Sequence, residues 1–380
     1  MTTHPDSSFS SQPLELSAGG QPIIELRAPA PENPEKPAFI SAHILPGRGM
    51  NTFQITAHIP GTGAFDMLTA PPLAEAPGYF DNSPDDFMGN RSFMVGGALL
   101  IPFPNRIRGE LIADGKSIVT TVLGKTVILP ANWSSGGSGG GEKTAMHGLV
   151  LKTHAHELMM ESDDSSARVT GIMKTGDFDG RWVGWSRVTT VCTLKRDAFE
   201  LTVTVRNDGD IPLPVSVGWH PYFEFPSGRR GQCRIRVPAR SIIETNNYDD
   251  VFPTGKISSV EGTPFDFRSP EGVELGGRYL DDCFTGLDYD ADGLVTVEIT
   301  DPAAAYGVRI RANRINRAVQ LYSPPDRNFI AVEPQMSFAD PFNATIWGKR
   351  PDAGMEVVGP DSSVTYSVTL KLFVPLNVRT

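Results

Sequence analysis

The sequence predicts an all-β protein built as one large sandwich, and three observations carry that expectation. The 380 residues include 38 Gly and 32 Pro, a density of chain punctuation that suits many short strands joined by turns. Several runs alternate apolar and polar residues with period two, the pattern of strands buried on one face. Amphipathic helical periodicity is nearly absent, and without βα alternation a parallel α/β architecture is not expected. At about 150 residues per domain the length alone suggests two or three domains, yet all-β units run past 200 residues.

Taken in order, residues 1–20 are rich in Ser, Pro and Gly and are expected to be a mobile N-terminal segment. Alternation begins at Ile23-Ile24-Glu25-Leu26, and the Pro-rich residues 29–37 form an extended connector. Residues 118–129 read as one β-prone run. The clearest signal follows: residues 188–194, a turn at 195–198, and the alternating residues 199–205. Asn207-Asp208-Gly209-Asp210 is a second turn, since Asn and Gly tolerate positive φ. Further strands are expected at residues 295–299, 308–312, 318–322 and 364–374. Residues 133–141 form a flexible Gly/Ser insertion; no Gly-Lys-Ser/Thr follows it, so a phosphate-cradling loop is disfavoured. Residues 21–380 are thus read as a single domain.

Composition narrows the function. A net charge of −10 without a long Lys/Arg block argues against nucleic acid as a partner. No run of about 18 apolar residues exists, so no membrane association is expected. The N-terminus shows neither a basic n-region nor an apolar h-region, so no secretory signal is expected. Cys192, Cys233 and Cys283 are odd in number and widely spaced. They read as free buried thiols in a reducing cytoplasm, not as a disulfide or zinc framework.

Few residues stand out chemically. His220 lies in Gly218-Trp219-His220-Pro221-Tyr222-Phe223, where aromatic neighbours would desolvate the imidazole and favour its neutral form. It is a candidate proton carrier, or else a core histidine at a strand end. Glu333 ends an apolar run before Pro334; a buried carboxylate there needs a partner or a chemical task. Arg106, in Pro104-Asn105-Arg106-Ile107, offers a fork of donors to an oxygen-rich ligand or to loop carbonyls. His147 precedes Gly148, which permits close backbone approach. Asp281-Asp282 could accept hydroxyl hydrogen bonds or form a turn. His154 and His156 would share one face of a strand, a metal-binding spacing that nothing else supports; a surface strand is the plainer reading.

The order of these elements is more telling than any one of them. Gly96-Gly97, Asn105-Arg106-Ile107, His147-Gly148, Trp219-His220-Pro221-Tyr222-Phe223, Asp281-Asp282-Cys283-Phe284, Glu333-Pro334 and Asp340-Pro341-Phe342-Asn343 follow one another in a pattern that resembles the aldose 1-epimerase (mutarotase) family, over residues 23–378. The resemblance implies a large, twisted antiparallel β-sandwich of the galactose mutarotase-like kind, with a sugar on its concave face. It implies Glu333 as general base and His220 as general acid, with Arg106, His147 and Asp281 holding the sugar oxygens. It implies an isomerase that needs no metal or other cofactor. Its partner would be a small monosaccharide, and the protein a monomer or weak homodimer. Two departures from the family pattern are visible: Asp282 stands where a His is usual after the first Asp, and residues 338–343 are a looser form of the last motif.

Three functions fit. The first is interconversion of the anomers of a hexose such as glucose or galactose. The second is the same reaction on hexose 6-phosphates, for which Arg229, Arg230, Arg234 and Arg236 could supply a cationic pocket. The third is sugar binding without catalysis, which a fold never excludes.

Overall fold

Two antiparallel sheets pack face to face. The computed structural model describes residues 8–81, 83–134, 141–348, 350 and 353–375. Among these, the larger sheet has twelve strands and the smaller nine. The centre of the larger sheet runs Asn51–Ile59, Gly97–Leu100, Gly218–Glu224, Phe329–Gln335, Ala318–Ser323 and Leu280–Leu287, side by side. The facing sheet centres on Ser186–Leu194, Phe199–Asn207, Ser363–Phe373 and Tyr306–Asn313. Between them lies one extended apolar core with residues from Phe9 to Leu370. Phe199 of one sheet stacks on Trp219 of the other, and the Tyr366 hydroxyl crosses to the carbonyl of Pro334 at 3.0 Å.

The period-two runs became strands because alternation lets each strand bury one face. Phe199–Asn207 reads buried at Phe199, Leu201, Val203, Val205 and Asn207, with the residues between them partly exposed. The runs at 188–194, 295–299, 308–312, 318–322 and 364–374 all lie on strands, with shifts of one or two residues at their ends.

Three expectations need correction. Ser10–Ala18 is not irregular chain: it is the edge strand of the larger sheet, paired with Gln21–Arg27 across Gly19 and Gly20, whose φ are 61° and 81°. Gln12 and Ser17 are exposed, while Leu14, Leu16 and Ala18 pack on a second apolar cluster around Phe53 and Phe80. Residues 1–7 lie outside the described residues. The run at 118–129 is two strands, Ser117–Val122 and Lys125–Pro130, folded at Leu123 and Gly124, both at positive φ. Two consecutive left-handed residues make the tight turn whose twist suits a hairpin. In the Gly/Ser segment, Trp133 and Ser134 are ordered as a short strand against Lys143–Met146; residues 135–140 lie outside the described residues.

Candidate active site

Two prolines place the central pair. In Gly218–Glu224, Trp219 and Phe223 point into the core, so His220 and Tyr222 face the opposite side, where they line a cavity of about 640 Å³. The neighbouring strand, Phe329–Gln335, buries Ile330 and Val332 in the core and turns Glu333 to the same cavity. Gly218 pairs with Gln335 and Tyr222 with Ala331, but the ladder is interrupted between them. Pro221 and Pro334 occupy that gap, and neither has an N–H to donate. Carried across from the flanking pairs, the register sets His220 opposite Glu333. Their side chains meet: Nε2 of His220 lies 3.2 Å from Oε1 of Glu333.

The remaining groups arrive from three other segments. Asp281 comes from Leu280–Leu287 and Gln320 from Ala318–Ser323; the Gln320 Nε2 donates to Asp281 Oδ1 at 2.7 Å. Asn105 donates through Nδ2 to Gln320 Oε1 at 3.3 Å and accepts from Arg106 Nη1 at 3.0 Å. Arg106 Nη2 stands 3.8 Å from Asp281 Oδ2, which closes the ring of contacts. Gln335 Nε2 donates to Glu333 Oε2 at 3.0 Å. The loop after Glu333 supports this arrangement from behind: the Asp340 amide donates to the Arg106 carbonyl at 2.7 Å. Asn343 caps the short helix Ala344–Trp347.

His147 is held by its backbone. It has a φ of 60°, and its amide donates to the Asn105 carbonyl at 2.9 Å. Its ring stands perpendicular to that of His220 at 5.0 Å and edge-on to Phe93 at 4.8 Å. Among the described residues its Nδ1 and the Nε of Arg106 are buried without a protein partner, donors or acceptors free for a bound molecule. Gly148, at φ 81°, carries the chain so close to Ile101 that a Cβ would lie 2.3 Å from its carbonyl oxygen. Gly148→Ala is therefore expected to cost about 1–3 kcal/mol of stability, read from a denaturation midpoint, and to displace His147. A midpoint equal to wild type would contradict this account of the turn.

Burial sets the charge states. It drives the His220 imidazole down to about 3, helped by the Arg106 cation, and His147 likewise falls well below the ordinary imidazole value. Burial and the nearby Asp281 push Glu333 well above the carboxylate range. Asp281 is raised by burial, against the pull of Arg106 and the bond from Gln320. Both directions favour the proton of the His220–Glu333 pair on Glu333.

Arg106, His147, His220, Asp281 and Glu333, the five residues to which the resemblance gives roles, all line this cavity. A sequence model of the aldose 1-epimerase family matches residues 77–355, nearly three quarters of the chain. The chain belongs to the aldose 1-epimerase family. Human galactose mutarotase is 32% identical over 103 residues, which are 26% of this chain and 28% of that protein. Mouse galactose mutarotase is 28% identical over 177 residues, covering 45% of this chain and 46% of its own. The matches thus span less than half the length of these curated relatives. Solved structures extend the likeness of fold over the whole chain. A galactose mutarotase-like protein from Clostridium acetobutylicum superposes with a TM-score of 0.72 at 18% identity, covering 97% of this chain and 100% of its own. A galactose 1-epimerase from Lactobacillus acidophilus gives 0.66 at 16% identity, covering 96% and 98%. The antiparallel sandwich of this chain is the galactose mutarotase-like fold.

Within this aldose 1-epimerase family fold, other readings resolve differently. Gln320, Asn105 and Gln335 were not singled out, although Gln320 is the polar break in the otherwise apolar run Ala318-Val319-Gln320-Leu321. His154 and His156 do not lie on a strand; they precede Glu157–Ser162, where His156 Nδ1 accepts the Lys174 amide at 3.2 Å. Among the described residues no group of His, Cys, Asp and Glu is arranged to hold a metal ion. The basic cluster does not line the cavity. Arg230 is buried and donates to Ser323 and to the carbonyls of Gly276, Arg278 and Ser323. Arg234 pairs with Glu274 and Arg236 with Glu298. Cys192, Cys233 and Cys283 are all buried free thiols. No helix of the described residues is long and apolar enough to cross a membrane.

Proposed function

We propose that the protein interconverts the α and β anomers of a hexose such as glucose or galactose, with Glu333 as general base and His220 as general acid. The observation that carries this reading is the 3.2 Å contact between the two side chains in a cavity lined by hydroxyl-binding groups. Arg106, His147 and Asp281 hold the ring and hydroxyl oxygens. The reaction changes no oxidation state. Glu333 takes the proton of the C1 hydroxyl as His220 gives one to the ring oxygen. The ring opens to the aldehyde, the C1–C2 bond rotates, and closure on the other carbonyl face returns both protons. Each well-placed proton-transfer partner contributes about 10²–10⁴-fold.

One proton serves the whole cycle. With the open-chain aldehyde bound, Glu333 is protonated and His220 neutral, which is the distribution that burial favours in the free protein. With the pyranose bound, the same proton stands on His220. Arg106 and the sugar hydroxyls then stabilise the Glu333 carboxylate. The pH dependence follows. Acid inactivates by adding a second proton to His220, which leaves no base; alkali inactivates by removing the proton from Glu333, which leaves no acid. With burial lowering His220 to about 3 and raising Glu333, the acid limb of kcat/KM is expected well below the ordinary imidazole range and the alkaline limb above the ordinary carboxylate range. A pH–rate profile with an acid limb near the ordinary imidazole value of about 6.5 would remove His220 from the assigned role.

The purified protein should speed the change in optical rotation of fresh α-glucose or α-galactose, with a chelator present. Activity confined to 6-phosphorylated sugars, or binding without anomer exchange, would overturn the reading. The first of these is disfavoured because Arg229, Arg230, Arg234 and Arg236 do not line the cavity. We further infer a single domain, because one core cluster takes in residues from both ends of the described chain, a cytoplasmic location, given the free buried thiols, and a monomer or weak homodimer.

A further inference from the structure

The ladder that carries the acid–base pair is weak on both sides of it. In and just beyond Gly218–Glu224, odd-numbered residues turn their backbone groups toward Phe329–Gln335. The Phe225 amide donates to the Asn328 carbonyl at 3.2 Å, and the Met336 amide donates to the Val217 carbonyl at 3.0 Å. The Tyr222 and Glu224 amides donate the other way, to the Gly96 and Met67 carbonyls. Carried along the strand, this alternation sets Trp219 opposite Pro334 and Pro221 opposite Val332 as the bonded pairs. An ordinary antiparallel pair of this kind exchanges two backbone bonds. Each of these pairs contains a proline, which has no N–H, so each keeps at most one. His220 and Glu333 stand between the two.

A side chain from the opposite sheet enters at this point. Tyr366, on Ser363–Phe373, is fully buried, and its hydroxyl donates to the Pro334 carbonyl at 3.0 Å. The Trp219 amide bears on the same hydroxyl oxygen. One phenol thus joins the two backbones at a pair that lacks a bond, one residue away from both His220 and Glu333. Burial and the charge on Glu333 hold the hydroxyl well above the ordinary phenol value, so it keeps the proton that it donates. Packing does not call for this oxygen. The ring belongs to the apolar core, where phenylalanine would fill the same space and a hydroxyl costs free energy unless it is bonded.

We infer that Tyr366 is a positioning residue for the reaction: its hydroxyl fixes Gly218–Glu224 against Phe329–Gln335 where the prolines leave the ladder incomplete, and so holds Nε2 of His220 at 3.2 Å from Oε1 of Glu333. The inference rests on the anomerase reading above. It gives the smaller sheet a part in the chemistry, since the acid and the base are spaced from behind, through the core. Tyr366 does not line the cavity, so loss of its hydroxyl acts on the proton transfers and not on sugar binding.

Tyr366→Phe removes the hydroxyl and keeps the ring. Polarimetry on fresh α-glucose or α-galactose is expected to show kcat lowered about 10- to 100-fold, with KM little changed. Val368→Ala, two residues along the same strand and also buried, loosens the core and should keep the wild-type kcat. In the Tyr366→Phe background, Pro334→Ala returns an N–H to position 334 and should recover part of the rate. An unchanged kcat in Tyr366→Phe, or the same loss in Val368→Ala, overturns the inference. The imidazole nitrogen NMR signals of His220 supply a readout that needs no turnover. They should move in Tyr366→Phe and stay in place in Val368→Ala. If the wild type exchanged no anomers, the catalytic reading would fail while these signals still decided whether Tyr366 sets the pair. Signals unmoved in Tyr366→Phe overturn the inference.

Discussion

Glu333→Gln is expected to lower anomer exchange about 10²–10⁴-fold while leaving the folded protein as stable as before, or more so. The two halves of this expectation have one cause. Burial and the nearby Asp281 push Glu333 well above the carboxylate range and so favour its neutral form, which an amide of the same shape reproduces. The Gln335 donor, 3.0 Å from Oε2, still finds a carbonyl oxygen to bond. What the amide cannot do is take the C1 proton. His220→Asn should cost a similar factor, and the double variant little more than either alone, because the two groups move one proton in concert. Anomer-resolved NMR with a denaturant midpoint on each variant reads both quantities; retained turnover in Glu333→Gln would end its assignment as base.

The largest expected effect on stability lies outside the cavity. Arg48 is fully enclosed: it forks onto both oxygens of Asp86 at 2.9 and 2.6 Å, donates through Nε to Ser92 Oγ at 2.9 Å, and lies over the Phe80 ring. This pair ties the irregular segment Pro84–Phe93 to the sheet. That segment ends in Phe93, whose ring packs on His147 and whose carbonyl accepts the Tyr222 hydroxyl at 2.9 Å. Asp86→Ala leaves a buried guanidinium without its counter-charge and is expected to cost about 3–5 kcal/mol. Replacing both partners, Arg48→Met with Asp86→Leu, should recover most of that loss, since no charge then remains buried. Guanidinium chloride unfolding of the single and double variants checks both statements; a double variant no better than the single would show that shape, not charge, governs the contact.

Legibility followed the physics of each element. Residues 188–205 could be read because alternation and turn chemistry agree there. Ser10–Ala18 could not, because its Ser, Gln and Pro residues typify loops and its apolar positions are few. His220 and Glu333 showed themselves as lone titratable groups before prolines on apolar strands. Arg106, His147 and Asp281 were weak signals singly and gained weight only from their order along the chain. Gln320 was hidden by the apolar run around it. Tyr248 had no local signal at all, since what places it is a bond to Asp282, 34 residues away. The departure at Asp282 was visible; its use was not, because a hydrogen bond between distant strands leaves no periodicity.

The interrupted ladder between Gly218–Glu224 and Phe329–Gln335 joins strands more than 100 residues apart in sequence. Its other neighbour, Gly97–Leu100, is equally remote. Such pairings close long loops and form slowly. During synthesis, Arg106, His147 and His220 have all left the ribosome long before Glu333 exists. Until it does, Gly218–Glu224 presents an unpaired edge in the middle of the future sheet, the kind of surface that recruits wrong partners. The nascent chain is therefore most exposed to misassembly over the stretch of translation that separates the acid from its base.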